Sequence, residues 1–284
     1  MLHSPTRLYY PWTYDNYGTN PSATPGTSVT PGATNAEGTY TQIASSANIA
    51  QDVCWMSLIV SSGATATASK PHLIDIGVDP AGGTSYTAFI SNLVVGGSGT
   101  IIAMPGHHFL IPICIKAGSS VAVRIQGGNG TAGTVRVTAK FYGYNARPEA
   151  LPLGTFSETI GTITNSLGTS FTPGNAADGS WTSLGTTTNP MWWWLLGYQI
   201  DNATVTAEYT YIDLAFGDGT NKHIIKRMMH GGDTSERIGD FLMSNVNMAE
   251  CFCPVPAGAT IYVRGRCLNA PDTGYNAVAV GIGG

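Results

Sequence analysis

The chain repeats itself, and this limits its possible folds more than any other feature. Gly26-Thr27-Ser28-Val29-Thr30-Pro31-Gly32 returns as Gly168-Thr169-Ser170-Phe171-Thr172-Pro173-Gly174. Glu37-Gly38-Thr39-Tyr40-Thr41-Gln42-Ile43 returns as Asp178-Gly179-Ser180-Trp181-Thr182-Ser183-Leu184. Leu73-Ile74-Asp75-Ile76-Gly77 matches Tyr211-Ile212-Asp213-Leu214-Ala215, and Ala117-Gly118-Ser119-Ser120-Val121-Ala122-Val123-Arg124 matches Ala257-Gly258-Ala259-Thr260-Ile261-Tyr262-Val263-Arg264. Generic β composition would not keep four blocks in one order at nearly constant separation, so the pattern reads as a tandem duplication. Copy one spans 22–144 and copy two 151–284, joined by the polar linker 145–150 with Pro148. Residues 1–21 have no visible counterpart and read as an N-terminal arm. Its Tyr9, Tyr10, Trp12, Tyr14 and Tyr17 are costly to leave in water, so they are expected to pack against a domain or a neighbour.

Each copy reads as β-strands throughout. Val121 to Gln126 and Val135 to Phe141 alternate apolar and polar residues across a Gly-rich loop, and Thr260 to Arg264 and Asn276 to Val280 repeat the scheme. With Tyr40 to Ile43, Cys54 to Val60, Ile74 to Val78, Ser91 to Val95 and His108 to Ile113, each copy has about seven or eight strands. Asn221 to Met229 is the best local case for a helix, and it is too short to serve as a core element. The expectation is two antiparallel β-sandwiches, immunoglobulin-like or jelly-roll in order. Expected core residues are Tyr40, Trp55, Val121 and Val123 in copy one and Trp181, Trp194, Ile261 and Val263 in copy two. Tyr40 should superpose on Trp181 and Arg124 on Arg264.

Composition narrows the function. Charged residues are 11% of the chain, with 13 Lys+Arg against 17 Asp+Glu and a net charge of −4. About 25% charged is usual, so the lean surface suggests coverage by other protein, and there is no basic excess for nucleic acid. No apolar run is long enough for a membrane helix, and the start lacks the pattern of a signal peptide. The five cysteines, Cys54, Cys114, Cys251, Cys253 and Cys267, read as buried reduced thiols, pointing to synthesis in a cytosol.

Catalytic signatures are missing. The sequence has no nucleophile elbow, P-loop or dinucleotide fingerprint. His107-His108 points to opposite faces of a strand, and Cys251-Phe252-Cys253 lacks the further ligands of a zinc site. Asp75 and Asp213 hold equivalent places and read as hydrogen-bond acceptors for a nearby loop. The expectation is a protein that is not an enzyme and carries no cofactor or metal.

Two features suggest binding. Trp192-Trp193-Trp194 stands where copy one has Val53-Cys54-Trp55. Strand alternation places Trp192 and Trp194 on one face, with Trp194 the expected partner of Trp55. Trp192 and Trp193 are then interface candidates, or a stacking platform for host glycans. The second feature is a basic cluster, Lys222, His223, Lys226, Arg227 and His230, which suits an acidic protein neighbour.

The turns carry a resemblance. Thr30-Pro31-Gly32, Gly38-Thr39-Tyr40-Thr41 and Asp79-Pro80-Ala81-Gly82-Gly83-Thr84-Ser85-Tyr86 resemble structural proteins of tailed bacteriophages, and the first two elements return in copy two. Copy two has Gly217-Asp218-Gly219-Thr220-Asn221-Lys222 in place of the third. The resemblance implies a virion component, as head decoration, fibre, tail or baseplate part. It also implies self-association, with a trimer as one expected form, and contact with major capsid or tail proteins. Host glycan recognition is the alternative role.

Overall fold

A computed structural model of the chain describes residues 13–16, 18, 26–33, 35–62, 72–95, 107–127, 134–143, 154–200, 208–232, 248–268 and 275–284. Every regular element among them is a strand. Copy one contains β1 (Thr13–Asn16), β2 (Thr27–Val29), β3 (Thr41–Ala44), β4 (Val53–Ser62), β5 (His72–Asp79), β6 (Thr87–Val95), β7 (His107–Ile111), β8 (Ser120–Gly127) and β9 (Val135–Gly143). Copy two contains β10 (Phe156–Ile160), β11 (Thr169–Phe171), β12 (Gly174–Asn175), β13 (Thr182–Thr186), β14 (Met191–Ile200), β15 (Glu208–Gly217), β16 (Lys222–Gly232), β17 (Met248–Val255), β18 (Thr260–Cys267) and β19 (Tyr275–Gly283). The stretch with the best helical pattern, 221–229, lies almost wholly in β16. There the 3.6-residue period yields to pairing along the length of β15.

Four sheets form. Sheet I runs β1-β9-β4-β7 with β2 also on β9, and sheet II runs β3-β8-β5-β6. Sheet III runs β10-β19-β14-β17 with β11 on β19, and sheet IV runs β12-β18-β15-β16 with β13 on β18. The antiparallel pairs within each copy are nested: β2 with β9, β3 with β8, β4 with β7 and β5 with β6. Copy two repeats the nest as β11 with β19, β13 with β18, β14 with β17 and β15 with β16. A long hairpin folded over on itself gives this order, which is the jelly roll. Two tandem jelly rolls therefore arise from the duplication. The turns repeat too: Gly118 and Gly258 hold left-handed backbone at φ 80° and 78°, a conformation that side chains rarely adopt.

Pairing also supplies a counterpart that sequence comparison misses. β1, inside the N-terminal arm, pairs with β9 as β10 pairs with β19. Residues 13–16 thus extend copy one's own sheet, with Tyr14 stacked on Phe141 at 6.0 Å between ring centroids. Tyr9, Tyr10, Trp12 and Tyr17 lie outside the described residues.

Burial shows how the two rolls meet. β9 alternates buried and half-buried residues, as expected of a sheet with one open face. β5 is buried at every position, β8 at all but Arg124, and β19 at all but Asn276. β18 alternates again. Sheets II and III are therefore covered on both faces, while sheets I and IV are covered on one. The order of layers is I, II, III, IV. Between II and III, Trp193 and Leu195 of β14, Val278, Val280 and Ile282 of β19, Met248 and Leu167 join the same apolar cluster as Leu73 and Val94 of copy one. The opposite face of sheet III, with Trp194, Leu196, Tyr198 and Tyr275, fills copy two's own core together with Ile261 and Val263. Val121 and Val123 are fully buried in copy one.

Trp193 is 3% exposed and sits in the middle layer, so its removal opens a cavity that both copies line. Trp193→Ala is expected to cost about 3–5 kcal/mol of unfolding free energy, the usual range for a buried aromatic truncation. Urea unfolding followed by far-UV circular dichroism measures it; a cost within about 0.5 kcal/mol, typical of a surface change, would contradict the middle layer.

Candidate functional site

The most elaborated polar arrangement lies on the outer face of sheet IV, and it is built around one carboxylate. On β15, Asp213 pairs in register with Arg227 of β16 on one side and Arg264 of β18 on the other, so cross-strand geometry alone brings two guanidiniums to it. Arg227 donates from Nε to Oδ1 at 2.6 Å and from Nη2 to Oδ2 at 2.8 Å. Arg264 donates to Oδ2 from Nε at 3.1 Å and from Nη2 at 3.0 Å. Arg264 also pairs with Asp178 at 2.9 Å and lies over the Trp181 ring, 4.4 Å from its centroid. Tyr211, Arg266 and Leu268 complete the rim of a hollow of about 510 Å³ that these residues line. Further along the face, Lys222 lies over Tyr262 at 4.3 Å.

The same arrangement exists on sheet II, and there it is covered. Arg124 of β8 donates to Asp75 of β5 from Nε at 2.8 Å, pairs with Glu37 at 2.6 Å and lies over the Tyr40 ring at 4.8 Å. The fourth position differs. Where copy two has Arg227, copy one has Asn92, in left-handed backbone at φ 59°, whose own N–H donates to Asp75 Oδ1 at 2.9 Å. The Asn92 side chain turns outward and donates to Ser166 O at 3.2 Å and Thr162 O at 3.5 Å, in the loop after β10. Glu37 N donates to Asn165 Oδ1 of the same loop, and Ser91 exchanges hydrogen bonds with Thr159 of β10. Ser157 adds one to Phe89 O. One copy's polar face is thus a docking surface for the other copy's polypeptide.

Electrostatics separate the twins. Burial pushes Asp75 above the usual carboxylate range, more than the Asn92 N–H and Arg124 lower it. Burial also pushes Asp213 up, but hydrogen bonds from Arg227 and Arg264 outweigh it and hold the group below that range.

Several expected core and interface residues take other places. Tyr40 and Trp181 are half-buried outside both cores, since each ring lies under an arginine on the outer face of its sheet. Trp55 is buried, yet it lies on the outer face of sheet I beside Ser57 and Ile59. A bulge between Met191 and Trp193 matches one between Val53 and Trp55, so Trp55 corresponds to Trp193 and Met56 to Trp194. The bulge also breaks the alternation that would have put Trp192 beside Trp194. Trp194 is fully buried and donates from Nε1 to Cys253 O at 3.0 Å. Trp192 is half-buried against Phe252, with ring centroids 5.1 Å apart, and its Nε1 is buried without a partner. It lines a second, apolar hollow of about 510 Å³ with Phe156, Pro190 and Pro254. Cys251 and Cys253 are free thiols, and burial pushes Cys251 up to about 12. The sequence singled out Asp213 as an acceptor for a nearby loop, whereas it accepts from arginines of the two neighbouring strands, Arg227 of the basic cluster among them; Asn92, Tyr211 and Arg266 were missed. The positive φ of Asn92 leaves no sequence signal beyond the tolerance of asparagine for such backbone.

No protein-family model and no curated protein matches the chain. Among solved structures, the chain is similar to PNGF-II, with 9% identity and a TM-score of 0.43 over 96% of this chain and 64% of that one. It is also similar to the N-terminal CBM22-1–CBM22-2 tandem domain of Paenibacillus barcinonensis Xyn10C, with 9% identity and a TM-score of 0.27 over 85% and 81% of the two chains. The PBSX exported protein XepA is 12% identical, with a TM-score of 0.23 over 96% and 98%. The chain spans about two thirds of the length of PNGF-II, at 64%.

A carboxylate whose folded pKa is lowered contributes stability that is present above its unfolded value, about 3.9, and lost as pH falls through the folded one. Asp213→Asn is therefore expected to lower the melting temperature at neutral pH, with the gap to wild type closing as pH falls below about 4. Thermal melts across that range measure it; a gap constant with pH would contradict the assigned role of the ionised group.

Proposed function

We propose that the chain is a non-enzymatic structural component of a bacteriophage particle that works through protein–protein contacts. One observation carries this reading. The Asp–Arg–aromatic face is built twice: in copy one it is occupied by protein, and in copy two it stands open. A face already used to hold polypeptide inside the molecule suits a second polypeptide outside it. The low charge content and the turn motifs resembling virion proteins support the same reading, as does an all-β double jelly roll, an architecture used in viral capsids. On this reading the chain is made in the host cytoplasm and ends in the virion.

A second reading rests on a different observation. The sheet IV hollow combines an exposed tyrosine, Tyr211, with Asp178, Asp213 and Arg266, a mixture of ring and hydrogen-bonding groups that suits sugar hydroxyls. Jelly rolls also serve as lectins. Quantitative mass spectrometry of phage particles purified from the source culture, together with a glycan array, separates the two. The structural reading predicts a stoichiometric virion protein that retains no glycan. Absence from particles, combined with glycan binding that Tyr211→Ala abolishes, would overturn it in favour of the second.

A further inference from the structure

The stack of sheets I to IV ends in two unlike faces, and each is the counterpart of a face already mated inside the molecule. The outer face of sheet I corresponds to the outer face of sheet III: the matching bulges align Trp55 with Trp193, and hence Ser57 with Leu195 and Ile59 with Gly197. The outer face of sheet IV corresponds to that of sheet II, with Tyr211 in the place of Leu73, Asp213 of Asp75 and Arg264 of Arg124. Sheets II and III mate. Among the described residues no sheet packs on the outer face of sheet I or of sheet IV, the two ends of the stack.

Four of the five exposed large apolar side chains among the described residues follow this division, and the fifth, Phe252, lies on β17 of sheet III beside Trp192. Among the described residues the exposed large hydrophobics are Ile59 at 43%, Tyr211 at 40%, Ile224 at 48%, Phe252 at 54% and Leu268 at 54%. Ile59 lies on the free face of sheet I. Tyr211, Ile224 and Leu268 lie on the free side of sheet IV, where Tyr211 and Leu268 line the hollow and Ile224 pairs with Ala215, two residues from Asp213. Their positions match across the internal interface. Gly197, the counterpart of Ile59, approaches Val94 so closely that an added Cβ would lie 2.9 Å from Val94 Cγ2. Val94 pairs in register with Leu73, whose counterpart is Tyr211. Repeating the internal mating between two molecules therefore brings Ile59 of one onto the Tyr211 region of the next, where Met229 takes the place of Val94 and the faces sit further apart than at Gly197 to admit the larger side chain.

We infer that a second copy of this chain docks head to tail, the outer face of its sheet I on the outer face of sheet IV. The inference rests on the reading that the chain works through protein contacts, and it names the partner for the open face. The contact is heterologous, so successive copies form a ring where the rotation closes and a filament where it does not. Its driving force is apolar. Among the described residues sheet I presents Arg136 and Lys140 against Asp15, and sheet IV presents Lys222, Arg227, Arg264 and Arg266 against Asp178 and Asp213, so cations are in excess on both faces. Salt should leave this association unchanged or tighten it, whereas docking of an acidic partner would weaken with salt.

Light scattering on the full chain, up to about 100 µM so that a micromolar interface is saturated, tests this at low and high salt. Wild type is expected at twice the chain mass of 29.7 kDa or more, undiminished by salt. Ile59→Lys blocks one end and Ile224→Glu the other, both at exposed positions, with melting curves checking that each variant folds. Each alone is expected as a monomer. Their equimolar mixture is expected to return a dimer, because each retains the face the other lacks. A monomeric wild type, an Ile59→Lys protein of wild-type mass, or a mixture that stays monomeric would each overturn the inference. A monomer that is still found in purified particles overturns this inference alone. A self-associating chain absent from particles overturns the proposed function alone.

Discussion

The dry layer between sheets II and III is the contact on which the rest of the architecture depends. Sheet III carries apolar side chains on both faces of β14 and β19, so it cannot face water on either. One face closes copy two's own core, and the other needs a cover that copy two does not provide. Copy one supplies it with the outer face of sheet II. The two jelly rolls are therefore one stack, and what lies exposed at its ends is fixed by what is consumed in its middle.

Duplication followed by divergence explains the asymmetry of the twin polar faces. A buried carboxylate paired with an arginine that lies over an aromatic ring is retained in both copies, because removing one partner of such a pair leaves an uncompensated charge. The position opposite that carboxylate has diverged. In copy one Asn92 bends outward to the docked loop of copy two, and backbone donors and acceptors meet without a net charge. In copy two Arg227 fills the place, its side chain and that of Asp178 stay exposed, and the two arginines hold Asp213 below the usual carboxylate range. Occupied and open versions of one face thus differ in the chemistry expected of covered and solvent-facing surfaces.

Much of this was legible in the sequence, and the losses have definite causes. Strand count, the duplication and the equivalence of Asp75 with Asp213 follow from period and repeat. The jelly-roll order did not, since strand pairing is long-range information that local alternation does not carry. The place of Trp192 was hidden by the bulge there, which sets it on the side of Trp193 instead of beside Trp194. Tyr40 and Trp181 looked like core residues because their rings are large, but an arginine over each ring provides apolar and cationic contact on the outer face. One signal was present and unused. Val135 to Phe141 alternates with Arg136, Thr138 and Lys140, while Ala277 to Val280 is apolar without a break, and that contrast distinguishes a sheet with one covered face from a sheet with two.

The central claim is that the two copies fold as one body through the layer between sheets II and III. Scanning calorimetry of the full chain tests it most directly. A shared layer predicts a single transition whose calorimetric enthalpy equals its van't Hoff enthalpy, because neither roll keeps its surface buried once the other unfolds. Two resolved transitions, each with the enthalpy of one jelly roll, would contradict it.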